Sequence, residues 1–136
     1  MAVPIPDAIR DLLDRPVVVG LVTVMPDGQP QATPVWVDYD GTYVRINTKR
    51  GRQKDRNMKL GAKVTVLAID PNDVNRWLEV RGQVAIETEE GAVEHINALS
   101  LKYDGIADFF ANKPERRATE VRVTYKIEPL RVNTSS

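Results

Sequence analysis

Five basic side chains are crowded into eight consecutive positions of the segment NTKRGRQKDRNMK, residues 47–59. Only one acid, Asp55, lies among them. Ammonium and guanidinium groups bind phosphate and carboxylate groups through charge-assisted hydrogen bonds, so the segment has the composition of an anion-binding site. A charged run is also typical of a solvated helix face, and the residues alone leave both interpretations open. The basic residues are Lys49, Arg50, Arg52, Lys54 and Arg56.

The elements around the basic segment decide how its side chains are presented. The residues TYVRIN, at positions 42–47, predict a strand, whereas the basic segment lacks alternation and consists mostly of helix-favouring residues. Gly61 follows at a position where a helix can end. The sequence therefore predicts a loop that leads into a short helix over about residues 53–60. Backbone N–H groups at the start of that helix would attract phosphate in addition to the side chains.

The composition is that of an ordinary globular protein. Its 136 residues suffice for one compact domain, and we expect a single domain over residues 1–136. Nineteen basic residues balance 19 acidic ones, so the overall charge favours neither a nucleic acid nor an anionic membrane as partner. Aromatic residues make up 6% of the chain and none lies in the basic segment, which argues against the base stacking that RNA-binding barrels use.

Few residues are available for metal or nucleophile chemistry. The chain has no cysteine and a single histidine, His95, so a thiolate metal site or a histidine-based triad cannot be assembled within one chain. We expect no metal, and we expect His95 to be a surface or partly buried helical residue. The first residues lack a secretory pattern and no apolar run is long enough to span a bilayer, so a cytoplasmic protein is expected.

Six segments predict the strands of a mainly β fold with minor α content. They are rich in β-branched residues or alternate between apolar and polar residues, and turns at residues 27–28 and 40–41 join the first three into an antiparallel meander. A six-stranded antiparallel barrel fits this pattern, because closure removes exposed strand edges. The predicted strands span residues 17–24, 31–39, 42–47, 63–69, 77–88 and 120–128. Helices are predicted within residues 4–16 and 89–105, and one more turn within 106–118.

Two tryptophans and a proline occupy strand positions that packing in the hydrophobic core does not explain. Pro34 cannot donate a ladder hydrogen bond and indicates a strand edge or a bulge. Trp36 alternates away from the core-facing Val35 and Val37, so we expect it at a subunit interface or over a bound ring. Trp77 lies on the polar face of its strand, which suits either partial exposure or a contribution to a partner subunit's groove.

Alternation and helical spacing also assign buried faces. In the last strand they direct Val121 inward and Arg122 and Thr124 outward. In the helix within residues 89–105 they place Val93 on the buried face. Gly82, in the middle of the fifth strand, predicts a bulge or a bend.

Taken in order, these segments resemble the split β-barrel flavin- and deazaflavin-binding proteins, the pyridoxamine 5'-phosphate oxidase-like superfamily. The resemblance covers almost the whole chain, and its most specific parts are RGRQKDRN, residues 50–57, and NRWLEVRG, residues 75–82. The pattern is most similar to the oxidoreductases that use the 8-hydroxy-5-deazaflavin coenzyme F-420. One departure is the sequence LGA at residues 60–62, where many relatives have Asp-Pro; we expect it to alter the turn and not the phosphate site.

The resemblance implies a homodimer with the coenzyme ring in a groove at the dimer interface. Arg52 and Lys54 would be the main cations on the coenzyme phosphate, and neutral side chains beside them would add hydrogen bonds. Arg50 would instead meet the acidic tail of a deazaflavin coenzyme. The second strand would lie along the ring, and Trp77 would reach the partner's groove. The implied cofactor-binding residues are Thr33, Pro34, Val35, Trp36, Thr48, Arg50, Arg52, Gln53, Lys54 and Trp77.

The function implied by the resemblance is hydride transfer between F-420 and a small unsaturated organic substrate. Two alternatives stay open: an FMN-binding oxidase or reductase of the same superfamily, and a non-catalytic protein that carries a flavin or deazaflavin. A bound coenzyme supplies the hydride chemistry itself, so a chain without cysteine and with one histidine can still be an enzyme. The sequence identifies no catalytic residue and no proton donor.

Overall fold

The computed structural model describes residues 1–135, which form seven strands and four short helices. The strands are β1 (Val19–Val24), β2 (Pro30–Val35), β3 (Val37–Tyr39), β4 (Val44–Lys49), β5 (Lys63–Asp70), β6 (Asp73–Thr88) and β7 (Arg122–Thr134). The helices are α1 (Asp11–Asp14), α2 (Gln53–Asn57), α3 (Ala92–Asp104) and α4 (Pro114–Thr119). No helix within residues 1–135 is long and apolar enough to cross a membrane.

All seven strands belong to one antiparallel sheet that curls on itself. Hydrogen-bonded neighbours follow the order β2-β1-β5-β6-β7-β4-β3. β2 and β3 occupy the two ends of this order, although only Trp36 separates them in the chain. The sheet must therefore curl until its end strands come together, with apolar side chains such as Leu21, Ile46 and Val80 buried inside. This confirms the predicted mainly β split barrel.

The structure has seven strands where six were predicted, because the predicted strand over residues 31–39 breaks at Trp36. Pro34 has no N–H to donate, and the N–H of Val37 donates to the hydroxyl of Tyr103 at 3.1 Å. Pairing is retained on either side of the break, since β1 pairs with β2 and β3 pairs with β4. Pro34 lies in an end strand of the sheet, as its missing N–H predicted.

Helix α3 covers the outer face of β4 and β7 and buries polar residues there. Arg122 and Thr124, which alternation directs outward, are only 7% and 3% exposed because α3 and the following segment lie over them. The predicted inward position of Val121 is wrong: it precedes β7 and is exposed. Val93 is exposed too, and α3 instead buries the side that carries His95.

Gly82 lies at a shift in the register between β6 and β7, which confirms the bulge predicted for it. A Cβ atom at this position would come within 2.4 Å of the Glu128 carbonyl oxygen, so the two strands can approach only because the residue is glycine. Helix α2 ends at Asn57, earlier than predicted, and the adjacent Met58 is buried in the core. The chain thus returns to the barrel after little more than one helical turn.

Candidate functional site

A groove of about 210 Å³ opens on the outside of the barrel where the broken strand meets α3. The β2–β3 junction forms one wall, the end of β4 and the start of α2 form the floor, and the segment between α3 and β7 closes the far side. The groove is lined by Pro34, Val35, Trp36, Asn47, Thr48, Arg52, Lys54, Ile96, Leu99, Phe109, Arg116 and Arg122.

Four basic side chains line this groove and no acidic side chain does. Glu120 partly balances them from behind, since it pairs with Arg116 and with Arg122. Lys54 donates to the Thr33 hydroxyl at 3.3 Å, and burial together with the nearby Arg52 and Arg122 lowers the pKa of its ammonium group. The groove therefore has an excess of positive charge that an anion would relieve.

Thr48 supplies a second, independent sign that a polar ligand belongs in the groove. Its side chain is buried, and its Oγ1 is the only buried side-chain polar atom within residues 1–135 that lacks a hydrogen-bond partner. Leaving such an atom unsatisfied costs about 1–3 kcal/mol. Thr48 lines the groove, so a ligand oxygen or N–H that reached this hydroxyl would remove that cost. Helix α2 has only five residues, so the attraction for an anion comes from side chains and not from an extended helix dipole.

The structure brings most of the predicted cofactor-binding residues together. Pro34, Val35 and Trp36 line the groove opposite the basic residues, and Thr33 joins them through its hydrogen bond to Lys54. Thr48, Arg52 and Lys54 line the floor. Arg50, Gln53 and Trp77 do not line the groove, and their contacts to a coenzyme stay predictions.

The guanidinium of Arg50 forms ion pairs with three acidic side chains of its own chain. It donates to Asp55 at 3.0 Å and to Glu89 at 2.9 Å, and it also pairs with Glu87. Asp55 in turn accepts from the Gly51 N–H at 3.0 Å and from the Tyr125 hydroxyl. These bonds hold the turn that begins at residue 50 against the barrel, so the described contacts of Arg50 are structural.

An aromatic wall faces the basic floor. Trp36 is stacked on Tyr103, with ring centroids 5.2 Å apart and an interplanar angle of 12°, and meets Phe109 edge to face. Arg116 and Arg122 lie against the Phe109 ring at 5.7 Å and 5.2 Å from its centroid. A flat apolar wall beside a cationic floor suits a ligand that carries both a planar ring and an acidic group.

Sequence reasoning missed six of the lining residues, of which Ile96 and Leu99 were predicted only as part of the buried face of their helix. Asn47 stood at the edge of the basic segment, and its position at the end of a strand next to Thr48 could have drawn attention to it. Arg122 reaches the groove because β7 pairs with β4, where Arg122 is opposite Lys49. Phe109 and Arg116 come from a segment without a regular pattern, and no local signal marks them.

A half-buried ion pair supports the strands behind the groove. Asp38 accepts two hydrogen bonds from Arg45, at 2.7 Å and 2.8 Å, and one from His95 at 3.2 Å. Burial opposes ionisation of Asp38, but the bonds from His95 and Arg45 outweigh it and lower the pKa to about 2.

This shift predicts an acid-dependent loss of stability. Asp38 should contribute on the order of 2 kcal/mol above pH 4, and the contribution should vanish as the pH falls through the folded-state pKa near 2, because the unfolded carboxyl group takes up its proton first. Urea unfolding of the wild type and of Asp38→Asn between neutral pH and about pH 2.5 measures it. The difference in unfolding free energy between wild type and Asp38→Asn should decrease as the pH falls over this range. A difference that stays constant with pH would contradict the lowered pKa assigned to Asp38.

Comparison with known proteins places the chain in a family. A family model described as pyridoxamine 5'-phosphate oxidase matches residues 5–135. No curated protein matches the sequence. A solved structure named F420 reductase is 33% identical with a TM-score of 0.80, over 95% of this chain and 98% of that chain.

Two further solved structures share the fold at lower identity. A conserved hypothetical protein from Mycobacterium tuberculosis is 23% identical with a TM-score of 0.76, over 99% of this chain and 86% of that one. General Stress Protein 26 from Bacillus anthracis is 19% identical with a TM-score of 0.66, over 93% and 90% of the two chains.

The curled antiparallel sheet and the cationic groove at its broken strand define a split-barrel protein with a site suited to an acidic, ring-bearing ligand. The match over residues 5–135 makes the identification more definite. The chain belongs to the pyridoxamine 5'-phosphate oxidase family, which confirms the family resemblance seen in the sequence.

Proposed function

We propose that this protein is a flavin- or deazaflavin-dependent oxidoreductase that holds the coenzyme phosphate in the cationic groove. The observation that carries the proposal is the combination of four basic side chains with the unsatisfied hydroxyl of Thr48 in one groove. Lys54 and Arg52 supply charge to the phosphate, and Thr48 supplies a neutral hydrogen bond. The 33% identity to a protein named F420 reductase favours F-420 over FMN.

In this proposal the coenzyme, when bound, supplies hydride transfer to or from a small unsaturated organic substrate. The chain binds and orients it. The aromatic wall at Trp36 and Phe109 lies beside the ring, and the basic floor fixes the phosphate end. Burial of the groove by a partner would exclude water from the reacting face.

A homodimer completes the site. The groove holds about 210 Å³, which is less than the roughly 300–1,000 Å³ that sites for small molecules and cofactors usually offer. Pro34 lines this groove and also an apolar depression on the outer face of β1 and β2, so the groove is continuous with an apolar surface. Gly20 is opposite Leu67 in the sheet, which extends that surface onto β5.

The extended surface, which we call the outer apolar face, suits a second copy of the chain. It carries exposed Leu67, Ile69 and Val74 beside Trp77 on β5 and β6. Apolar patches of this kind on a soluble domain often mark a protein interface. With a second copy on this face, Trp77 of one subunit would approach the groove of the other.

Coenzyme titration tests the proposal directly. Purified protein is titrated with F-420 and with FMN while coenzyme fluorescence is followed. Binding of F-420 with turnover of an electron acceptor supports the proposal in full. Tight binding of FMN alone would assign the FMN alternative, and binding without turnover would indicate a coenzyme carrier. Failure to bind either coenzyme would contradict the proposal.

Lys54→Ala should weaken coenzyme affinity by about 1–3 kcal/mol, because a charge-assisted hydrogen bond to phosphate is lost. The matched control is Lys59→Ala, which removes the same charge from an exposed residue outside the groove. Fluorescence titration of both variants against wild type measures the difference. Equal affinities for the two variants, with both folded, would mean that the basic segment is only a solvated charged face.

A further inference from the structure

The single histidine of the chain is buried behind the groove, where the proposed function gives it no task. His95 is only 5% exposed, so the expectation of a surface or partly buried residue is wrong: it projects from the inner side of α3 against β3, β4 and β7. Both ring nitrogens have partners: Nε2 lies 3.2 Å from a carboxylate oxygen of Asp38, and Nδ1 lies 3.0 Å from the Thr124 hydroxyl. A buried imidazole with defined partners on both sides is held in one orientation.

The partners of His95 fix which nitrogen carries the proton. Two bonds from Arg45 hold the Asp38 carboxylate in place, and a carboxylate can only accept hydrogen bonds. Nε2 must therefore donate to Asp38. In the neutral imidazole Nδ1 is then the acceptor, which suits the Thr124 hydroxyl and the side-chain amide of Asn47, 3.3 Å away.

The orientation of the Asn47 amide is determined in the same way. Its nitrogen lies 2.8 Å from the carbonyl oxygen of Ala92, which can only accept, and its oxygen accepts from Nε of Arg122 at 3.0 Å. Reversing the amide would place oxygen against oxygen and N–H against N–H. His95 supports this orientation, because its unprotonated Nδ1 faces the amide nitrogen and not the amide oxygen.

Arg122 is thereby held at the groove. Its Nε donates to Asn47 and its Nη1 donates to Glu120 at 2.8 Å. Within residues 1–135 the N–H groups of Nη2 and the second N–H of Nη1 are therefore left for a groove ligand. The side chain is almost fully buried, and it has no freedom to search for its ligand. A pre-oriented cation binds an anion more tightly than a mobile one, because less conformational entropy is lost on binding.

We infer that His95 is a positioning residue of the groove: through the Asn47 amide it fixes the guanidinium of Arg122 toward the ligand. The chain of contacts Asp38–His95–Asn47–Arg122 joins one residue each from β3, α3, β4 and β7. Its effect on coenzyme affinity rests on the proposed function, whereas the contacts themselves do not.

The first test uses nitrogen NMR on the coenzyme-free protein. Because His95 is the only histidine, the imidazole region contains a single pair of ¹⁵N signals that needs no assignment. At about pH 8.5, where imidazole is ordinarily neutral, the spectrum should be that of the Nε2–H tautomer. The Nδ1–H tautomer would overturn the inference, and this measurement requires no substitution that could unfold the protein.

The second test follows Arg122 in the same coenzyme-free protein. Its Nε–H signal is identified by its loss in Arg122→Lys. In His95→Phe, which keeps a ring but removes both nitrogens, this Nε–H should exchange with water about tenfold faster, because Asn47 no longer holds it firmly. Val84→Ala, a core change away from these contacts, controls for general destabilisation. An unchanged Arg122 signal in His95→Phe would overturn the inference.

The third test is a double-mutant cycle on coenzyme affinity. His95→Phe should weaken binding about tenfold and Arg122→Gln more than that, whereas the double variant should bind no worse than Arg122→Gln alone. Additive losses would show that His95 acts independently of Arg122 and would overturn the inference. A wild-type protein that binds neither F-420 nor FMN would contradict the proposed function, and the two NMR measurements would then decide the role of His95.

Discussion

Gly82→Ala should lower the free energy of unfolding by about 3 kcal/mol, the largest loss we expect from a single added methyl group. The new Cβ would lie 2.4 Å from the Glu128 carbonyl oxygen and 2.8 Å from Cγ2 of Ile127. The oxygen belongs to the backbone of β7, so relief requires the β6–β7 pair to separate at its bulge. Urea unfolding followed by circular dichroism measures the loss.

The matched control is Gly20→Ala, another glycine within a strand. There the nearest heavy atom to an added Cβ is the Leu67 carbonyl oxygen at 3.9 Å, an ordinary contact. The unfolding free energy of this variant should be within about 0.5 kcal/mol of the wild-type value. The added methyl group meets no close atom, and alanine lowers the conformational entropy of the unfolded chain relative to glycine. Equal losses of unfolding free energy in the two alanine variants would mean that the close approach of the strands at Gly82 does not require glycine.

Leu67→Arg should convert the proposed dimer to a monomer and abolish coenzyme binding. Leu67 is 39% exposed at the centre of the outer apolar face, so the arginine is accommodated in an isolated subunit. In a dimer it would place a bulky charged group in an apolar contact, only partly offset by Glu79 on the neighbouring strand, which should raise the dimer dissociation constant by on the order of 100-fold. Light scattering coupled to gel filtration reports the mass, and fluorescence titration reports coenzyme binding.

The control for this prediction is Leu101→Arg on α3. Leu101 is also an exposed leucine, but it lines neither the groove nor the outer apolar face. This variant should remain a dimer and should bind coenzyme like wild type. If Leu67→Arg keeps both the mass and the coenzyme affinity of wild type, then either the subunit interface lies elsewhere or coenzyme binding does not require a dimer.

The parts of the fold that were predicted correctly are those that depend on local sequence. Alternation placed Leu78 and Val80 in the core because the inner face of a curled sheet is lined mainly by apolar side chains. Arg52 and Lys54 of the basic segment line the groove because the segment directly follows β4, and its position after the strand could be read from the sequence. Pro34 was likewise placed at an edge by its own chemistry.

The parts that were missed depend on contacts between distant segments. Arg122 contacts Asn47 because β4 pairs with β7. The sequence of neither strand shows which other strand it will pair with. Two of the three acids that pair with Arg50, Glu87 and Glu89, lie at the end of β6 and just after it, far along the chain, so the Arg50 cation was predicted to be free for a ligand. Whether a charge is available therefore depends on tertiary contacts that residue type does not reveal.

The protein carries two optical reporters that respond to different events. Its two tryptophans are Trp36, stacked on Tyr103 in the groove wall, and Trp77, on the outer apolar face. In Trp77→Phe, the remaining indole emission should be quenched by energy transfer when a coloured coenzyme occupies the groove. In Trp36→Phe without coenzyme, the emission of Trp77 should shift with protein concentration as subunits associate. Ligand occupancy and self-association can thus be followed separately in the same protein, without an added dye.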